Sequence, residues 1–317
     1  MRLERSLSMI NKEERKEAIE QWNNQTKVWT EKRGKAVTFL AVSVMILLSF
    51  SILIFVASKG ITIFTKNNAS LADFFFGTEW KPSAVNEEGR PLVGALPMIF
   101  GSFSVTILAA VICSPLAIGA AVFMTEISPK FGMKVLQPIL LVGIPSVVYG
   151  FLGVSLVVPF LRNTFSGSGF GIAAGTIVLT IMILPTITSL SVDAIRSVPD
   201  SLREASLALG ATRWQTIYRV VLKTALPGLL TAVIFGMARA FGEALAVQMV
   251  IGNSTVIPDS LFEPASTLTS ILTMGMGYTV MGQVDNNALW TLALMLLLMS
   301  YVFIFIIRII GRRREQQ

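Results

Sequence analysis

Residues 199–228 read PDSLREASLALGATRWQTIYRVVLKTALPG, a polar and basic stretch set between two long apolar runs. Ser201 and Glu204 have the spacing of a capping box, in which a hydroxyl and a carboxylate satisfy each other's backbone amides, so a helix start is predicted there. Gly210 suits the left-handed position that ends such a helix. The stretch therefore predicts the first half of a compact helical hairpin.

The second half of the hairpin starts at another capping box. Thr212 and Gln215 repeat the spacing and predict the start of a second short helix. Pro227 predicts the end of that helix or the start of the next segment. A compact helical hairpin between two apolar runs predicts a surface to which another molecule on the same side of a membrane can bind.

Composition restricts the class of protein. The chain has 317 residues, of which 53% are hydrophobic and 14% charged, and its mean hydropathy is +0.68. These values indicate an all-α polytopic membrane protein. Histidine is absent, which excludes histidine catalysis and histidine metal sites, and the single Cys113 excludes a disulfide framework. No GxxxxGK[ST] motif is present, so no nucleotide-phosphate loop is expected and the chain needs no cofactor of its own.

Six apolar runs predict six membrane helices. A charged segment covers residues 1–35. The transmembrane region is predicted at 36–308, and a basic tail occupies 309–317. The segment before the first run is expected to be a solvated tail or an amphipathic helix on the membrane surface. The predicted runs are residues 36–58, 91–125, 135–161, 163–192, 224–251 and 286–307. The second is too long for one simple span, so part of it is expected to be re-entrant or to lie outside with the loop 59–92.

The distribution of lysine and arginine predicts the orientation. With the N-terminus inside, 20 of these residues lie in inside segments and five in outside segments, and Arg239 lies within a span. Because positive residues accumulate on the cytoplasmic side, both termini are predicted to be cytoplasmic. The same count places the 199–228 hairpin in the cytoplasm.

Arg239 and Glu243 are charged residues within the fifth apolar run. Their spacing of four residues predicts that both lie on one helix face. Charges at membrane depth face a bundle interior or an aqueous cavity, so the pair is either an internal ion pair or part of a solute pathway. Arginine suits an oxyanion such as phosphate, and the carboxylate can accept a hydrogen bond from a protonated oxyanion, which would favour hydrogen phosphate over sulfate.

The hairpin resembles the EAA loop of binding-protein-dependent ABC importer permeases. The resemblance rests on Glu204-Ala205-Ser206, then Gly210, then Leu226-Pro227, with Ser206 in place of the family's usual alanine. It implies a six-helix permease of the type I importer (MetI-like) kind, in which the loop docks into a cleft of an ATPase subunit. The coupling residues are then Glu204, Ala205, Ser206, Gly210, Thr212, Arg213 and Trp214, although Glu204 can equally be only a capping carboxylate.

Further segments are similar to the permease subunits of phosphate-specific ABC importers. The matching segments are FGTEW at 76–80, GIPSVVYG at 143–150, IMILPT at 181–186, RAFGE at 239–243 and VIGN at 250–253. The similarity covers most of the chain from about residue 70. It implies a multi-pass protein of the bacterial cytoplasmic (inner) membrane that takes up phosphate by alternating access, with Arg239 and Glu243 on the pathway.

The resemblance also implies the partners. They are a sister permease subunit (PstA-type), two ATPase subunits (PstB-type) that use ATP, and an extracytoplasmic phosphate-binding protein (PstS-type). This chain would then not be an enzyme. The alternatives are a permease for another oxyanion such as sulfate or molybdate, a secondary transporter or channel, and a membrane scaffold. A secondary transporter would show inverted repeats or carboxylates in several spans, and a scaffold would leave the charged pair and the hairpin without a purpose.

Overall fold

The computed structural model describes residues 12–132, 134, 143–165 and 167–312. The chain divides into two compact units, residues up to Val56 and residues from Ala57 onward. The expected segment 1–35 is described only from Lys12, and the basic tail 309–317 only as far as Arg312. The start of the third apolar run, residues 135–142, lies outside the described residues.

The first helix is far longer than the predicted first span. Helix α1 covers Lys12–Gly60, so the expected tail or surface helix is, from Lys12 onward, continuous with the span. The part of this region that is apolar enough to cross a membrane is Glu31–Lys66, which includes the short helix α2, Thr62–Lys66. The side chains from Ala36 to Ser58 carry no charge, which favours their burial in lipid. A helix is favoured there because it pairs its own backbone groups, for which lipid offers no hydrogen-bond partner.

The loop predicted to lie outside, residues 59–92, contains a short helix and two strands before the second span. Helix α3, Leu71–Phe76, leads into an antiparallel pair of strands, β1 at Trp80–Val85 and β2 at Pro91–Val93. The second span then begins at Leu96. A short strand therefore takes up the start of the second apolar run, but the helical stretch that follows, Leu96–Ile127, is still longer than one simple span needs, so a re-entrant or outside portion stays a prediction.

The remaining described elements are helical. They are α4 Leu96–Val122, a π-helical turn Phe123–Ile127, α5 Pro129–Phe131, α6 Ser146–Leu152, a π-helical turn Gly153–Val157, α7 Val158–Thr164, α8 Ile172–Arg196, α9 Asp200–Ala208, α10 Arg213–Thr216, a π-helical turn Ile217–Val221, α11 Leu222–Phe241, α12 Leu245–Val250, α13 Leu268–Met276 and α14 Val284–Arg312.

Five stretches of helix in the described residues are long and apolar enough to cross a membrane. They are Glu31–Lys66, Leu96–Ile127, Ser146–Thr164, Ile172–Arg196 and Arg213–Phe241. The all-α polytopic fold class is confirmed. The sixth predicted span falls on α14, which is not among these five, so the count of six spans and the position of both termini stay predictions.

The core lies between α4, α8 and α11. A cluster of buried side chains joins Val105 and Cys113 of α4 to Leu179 and Ile187 of α8 and to Ala232 of α11. Close approach of α8 and α11 depends on small residues, since a Cβ at Gly236 would lie 2.3 Å from the side chain of Ile187. This packing sets the positions of the charged residues at the ends of the helices.

Two predicted helix boundaries are wrong. Pro227 lies inside α11, and helix continues from Arg213 to Phe241, so the second hairpin helix is the beginning of the fifth span. Proline removes one backbone donor, which membrane helices tolerate where neighbours satisfy the freed group. The fifth span also stops earlier than predicted, because α11 ends at Phe241 and a separate helix follows from Leu245.

Candidate functional site

The Arg239 side chain lies near the end of α11 and is exposed in the single chain. Its Nη1 donates a hydrogen bond to Oγ1 of Thr186 on α8. Thr186 belongs to the 181–186 segment that was singled out in the sequence. The structure therefore presents a guanidinium and a hydroxyl together, from two packed membrane-spanning helices, on a face that this chain leaves open.

Glu243 does not continue the helix that carries Arg239. The helix ends at Phe241, and residues 242–244 form a non-helical break before α12. Oε1 of Glu243 accepts a hydrogen bond from the backbone amide of Ala246 at 3.1 Å, so the carboxylate caps α12. The prediction that Arg239 and Glu243 share one helix face is wrong because the helix ends between them.

The internal ion pair that was one alternative for these residues is not formed. Arg239 and Glu243 are both described, and no ion pair within 4.0 Å joins them in this part of the chain. The guanidinium bonds to Thr186, whereas the carboxylate bonds to the α12 backbone. Neither charge neutralises the other, so the guanidinium keeps its charge available for an anionic group.

A small cavity lies beside Glu243 and carries four hydroxyl side chains. Its volume is about 10 Å³, which is room for about one water molecule. The lining residues come from α4, α8, α11, the break after α11, α12 and the start of α13 with its N-cap: Ser102, Val105, Thr106, Leu179, Ala240, Phe241, Glu243, Val247, Thr267 and Thr269. In this conformation the cavity is too small for a tetrahedral oxyanion, and Arg239 is not among the residues that line it.

The hydroxyl groups around this cavity fix the break that holds Glu243. Oγ1 of Thr269 donates to the carbonyl oxygen of Glu243 at 2.8 Å, and Oγ of Ser102 accepts from the amide of Leu268 at 2.9 Å. Sequence reasoning missed these residues. The available signal was the run STLTS at 266–270, which is dense in hydroxyls.

The hairpin is present and its turn matches the prediction. Gly210 has φ of +82°, the left-handed conformation expected at a helix end. The capping box at Thr212 is confirmed: Oγ1 of Thr212 accepts from the amide of Gln215 at 3.2 Å, and Oε1 of Gln215 accepts from the amide of Thr212 at 2.9 Å. These two local features form the turn between α9 and α10.

The first capping box is wrong. Helix α9 begins at Asp200 with Pro199 at the N-cap, and no side chain caps it. Ser201 therefore lies inside the first turn, where its hydroxyl is not at the capping position. Pro199 has φ of −58° and ψ of 138°, so the proline itself sets the entry to the helix. Glu204 is consequently not the capping carboxylate of α9.

The predicted coupling residues form an exposed surface. Glu204, Ala205, Gly210, Thr212 and Arg213 are exposed, and Ser206 is half-buried with Oγ 2.9 Å from Oγ1 of Thr216. Large apolar side chains accompany them, since Leu209 is 89% exposed and Trp214 is 64% exposed. Large apolar side chains exposed on one short hairpin are consistent with a protein interaction surface.

The described residues contain no candidate metal site. Among residues 12–132, 134, 143–165 and 167–312, no group of three or more histidine, cysteine, aspartate or glutamate side chains could hold a metal ion. The buried Cys113 packs in the apolar core, as its position in an apolar run predicted.

Comparison with known proteins gives one family match and a set of curated relatives. Residues 114–316 match the family described as "Binding-protein-dependent transport system inner membrane component". A Bacillus subtilis (strain 168) protein named "Probable ABC transporter permease protein YqgH" is 52% identical, covering 97% of this chain and all of that protein. The Mesorhizobium japonicum "Phosphate transport system permease protein PstC" is 33% identical, covering 81% of this chain and 84% of that protein.

Solved structures share the fold. A structure entitled "Inward facing conformations of the MetNI methionine ABC transporter" matches with a TM-score of 0.53 and 22% identity, over 68% of this chain and 93% of that chain. A bacterial ABC transporter "involved in the import of the acidic polysaccharide alginate" matches with a TM-score of 0.55 and 16% identity, over 93% of this chain and 99% of that one. At these identities the likeness shows the fold alone.

Proposed function

The chain belongs to the binding-protein-dependent transport system inner membrane components, and we propose that it is the phosphate-specific permease subunit of an ATP-driven importer. In this role it forms half of the translocation pore. Relatives named PstC support phosphate as the solute, among them one from Haemophilus influenzae that is 30% identical over 92% of this chain. The fold and the multi-pass membrane location are those of the family.

The observation that carries the choice of an oxyanion is the exposed guanidinium of Arg239. An arginine within a spanning helix is costly unless it faces protein or an aqueous path. Arg239 is exposed in the single chain, and its hydrogen bond to Thr186 leaves other guanidinium donors for a solute. A planar guanidinium with an adjacent hydroxyl matches the oxygens of a phosphate ion.

Glu243 supports phosphate over sulfate. Hydrogen phosphate carries a proton at neutral pH, and a carboxylate can accept a hydrogen bond from it, whereas sulfate has no such proton. Glu243 lines the cavity next to Phe241 and Ala240, within one turn of the Arg239 position along the chain. A fully ionised anion would be repelled by this carboxylate, so the pair of charges would select the protonated oxyanion.

The hairpin supports a separate ATPase as the energy source. Its exposed residues Leu209 and Trp214 leave an apolar surface that the single chain does not cover. We infer that one of two PstB-type ATPase subunits binds there, at Glu204, Ala205, Ser206, Gly210, Thr212, Arg213 and Trp214. A PstA-type sister subunit would complete the pore around Arg239, and a PstS-type binding protein would deliver phosphate. This chain would then use no cofactor of its own and hydrolyse no ATP.

Reconstitution tests the proposal. The chain is assembled with its candidate sister permease, ATPase and binding protein in liposomes, and ATP-driven uptake of labelled phosphate is compared with uptake of sulfate and molybdate. Uptake of phosphate well above that of the other two anions is expected. Equal uptake of all three would contradict the phosphate assignment, and preferred uptake of sulfate or molybdate would replace it with the alternative oxyanion permease.

A further inference from the structure

A partly buried ion pair joins the first hairpin helix to the end of the second span. Glu126 lies in the π-helical turn that follows α4, and Arg203 lies in α9, 77 residues later. Nη2 of Arg203 is 2.8 Å from Oε1 of Glu126, and Nε donates to the same oxygen at 3.3 Å. The side chains are 19% and 14% exposed, so water and salt screen the pair much less than a surface pair.

Arg203 also binds the end of the fourth span. Nη1 donates to the carbonyl oxygen of Val198 at 2.6 Å, and Nη2 donates to that of Ile195 at 3.1 Å. The Ile195 carbonyl lies in the last turn of α8 and the Val198 carbonyl two residues beyond it, in the region where a helix end leaves acceptors without intrahelical donors. One guanidinium therefore connects α9, the end of α8 and the end of α4, which the planar fork of arginine allows and a lysine would not.

The second half of the hairpin reaches the same residue. Nη2 of Arg213 donates to the backbone carbonyl oxygen of Glu126 at 3.3 Å. Glu126 thus receives the first half of the hairpin through its side chain and the second half through its backbone. The short turn at the end of α4 is the point where both halves meet the transmembrane helices.

Helix α9 makes these polar contacts without burying any of its own apolar side chains in the core. None of its residues, all of which lie in the described part of the chain, is buried. The apolar cluster beneath the hairpin is formed by α4, α8, the turn that follows each of them, and the helix that starts the fifth span: Ala121, Val122, Met124, Val192, Ile195, Val198, Ile217, Val221, Ala225 and Leu229. Helix α9 contributes no residue to this cluster. Polar contacts of Arg203, and the contact of Ser206 with Thr216, attach α9 to the helices beneath it.

We propose that Glu126 and Arg203 are positioning residues that make α9 and the end of α4 move as one body when an ATPase subunit displaces the hairpin. This inference rests on the proposed function, because it names the residues through which an ATPase-driven displacement of the hairpin reaches the transmembrane helices. The second span packs along α8 and α11 in a core that includes Ile187 and Ala240, the chain neighbours of Thr186 and Arg239, so a displacement of its end reaches the helices around the solute face. If α9 were detached from Glu126, it would still bind the ATPase, but it would move without α4.

Hydrogen exchange of the full-length chain in lipid nanodiscs tests the attachment without reference to the solute. Glu126→Gln keeps the size of the side chain and removes its charge. Loss of a charge-assisted hydrogen bond predicts that the α9 amides exchange about tenfold faster, while those of α8 and α11 exchange as before. Glu126→Asp, which keeps the charge, is expected to restore part of the protection. Asp200→Asn is the matched control, because Asp200 contacts Nη1 of Arg203 at 3.0 Å and its side chain is 88% exposed.

Unchanged exchange of α9 in Glu126→Gln would overturn the proposal. Faster exchange of α8 and α11 as well would also overturn it, because the pair would then support the whole fold. In the reconstituted complex, Glu126→Gln is expected to raise the ATP hydrolysed per transported ion several-fold, and an unchanged ratio would contradict coupling through this pair. Failure of the wild-type complex to transport phosphate would contradict the proposed function, whereas the exchange measurement would still decide the attachment of α9.

Discussion

The Nη1 atom of Arg239 on α11 donates a hydrogen bond to Oγ1 of Thr186 on α8, and this contact joins two membrane-spanning helices at an exposed face. It orients a cation that lies within an apolar stretch of chain. Because the partner is a neutral hydroxyl, the guanidinium keeps its full charge for an anion.

Replacement of Arg239 by alanine is expected to lower phosphate uptake about tenfold to a hundredfold, the range for loss of a hydrogen bond to a charged group. Arg239→Lys should give an intermediate rate, since lysine keeps the charge but loses the planar fork. Initial uptake rates in proteoliposomes measure both. Arg90→Ala is the control, because Arg90 is an exposed loop arginine paired with Glu88. Normal uptake by Arg239→Ala would remove this residue from the pathway.

Replacement of Thr186 by valine tests whether the hydroxyl orients the guanidinium. Valine has the same shape but no acceptor, so uptake is expected to fall about tenfold or less, consistent with one hydrogen bond. Thr186→Ser keeps the hydroxyl and should retain most of the wild-type rate. A serine variant as slow as the valine variant would show that the methyl group, and not the hydrogen bond, matters.

Replacement of Glu243 by glutamine is expected to reduce the preference for phosphate over sulfate. Glutamine keeps an oxygen that can accept from the Ala246 amide, so the cap of α12 survives while the charge is lost. Glu243→Ala removes both and should in addition destabilise the chain by about 1 kcal/mol, the usual value of a cap. The ratio of phosphate to sulfate uptake separates the two roles. An unchanged ratio in Glu243→Gln would limit Glu243 to capping.

Replacement of Gly210 tests the hairpin turn. A Cβ at this position meets no atom within 4 Å, so the cost of Gly210→Ala comes only from the left-handed backbone and is expected to be about 1 kcal/mol. Gly210→Asn should cost less, because asparagine tolerates that conformation. Thermal unfolding and co-purification of the ATPase are measured together. If Gly210→Pro were as stable as the wild type and bound the ATPase equally well, the hairpin would not be a docking element.

Replacement of Gly101 tests the packing beside the Glu243 cavity. A Cβ at Gly101 would lie 2.0 Å from the carbonyl oxygen of Ser266, and backbone cannot move aside cheaply. Gly101→Ala is expected to destabilise the chain by about 1–3 kcal/mol, as overpacking does. Gly119→Ala on the same helix is the control, because a Cβ there meets no atom within 4 Å. Equal melting temperatures for the two variants would contradict the close approach of α4 to Ser266.

Local features of the chain could be predicted from the sequence, and tertiary ones could not. The turn at Gly210 and the capping box at Thr212 are set by residues within four positions of each other, so their patterns were sufficient. The box at Ser201 failed because Pro199, outside the pattern, is the N-cap and the helix starts two residues earlier than predicted.

The break between Arg239 and Glu243 was not predictable from their spacing. The carbonyl of Glu243 is bound by Thr269, a residue from a distant segment of chain. The link from Arg203 to Glu126 is likewise a contact across 77 residues, and the positive-inside pattern explains an arginine at this position without any partner. Composition and charge predicted the membrane class, whereas the partners of each charge required the fold.

The most direct test of the central claim is ATP-driven uptake of labelled phosphate by the reconstituted complex, in the presence of a large excess of unlabelled sulfate or unlabelled phosphate. A phosphate permease predicts that unlabelled phosphate abolishes the uptake of label and that sulfate leaves it nearly unchanged. Equal suppression by both anions, or no ATP-dependent uptake of phosphate, would contradict the account.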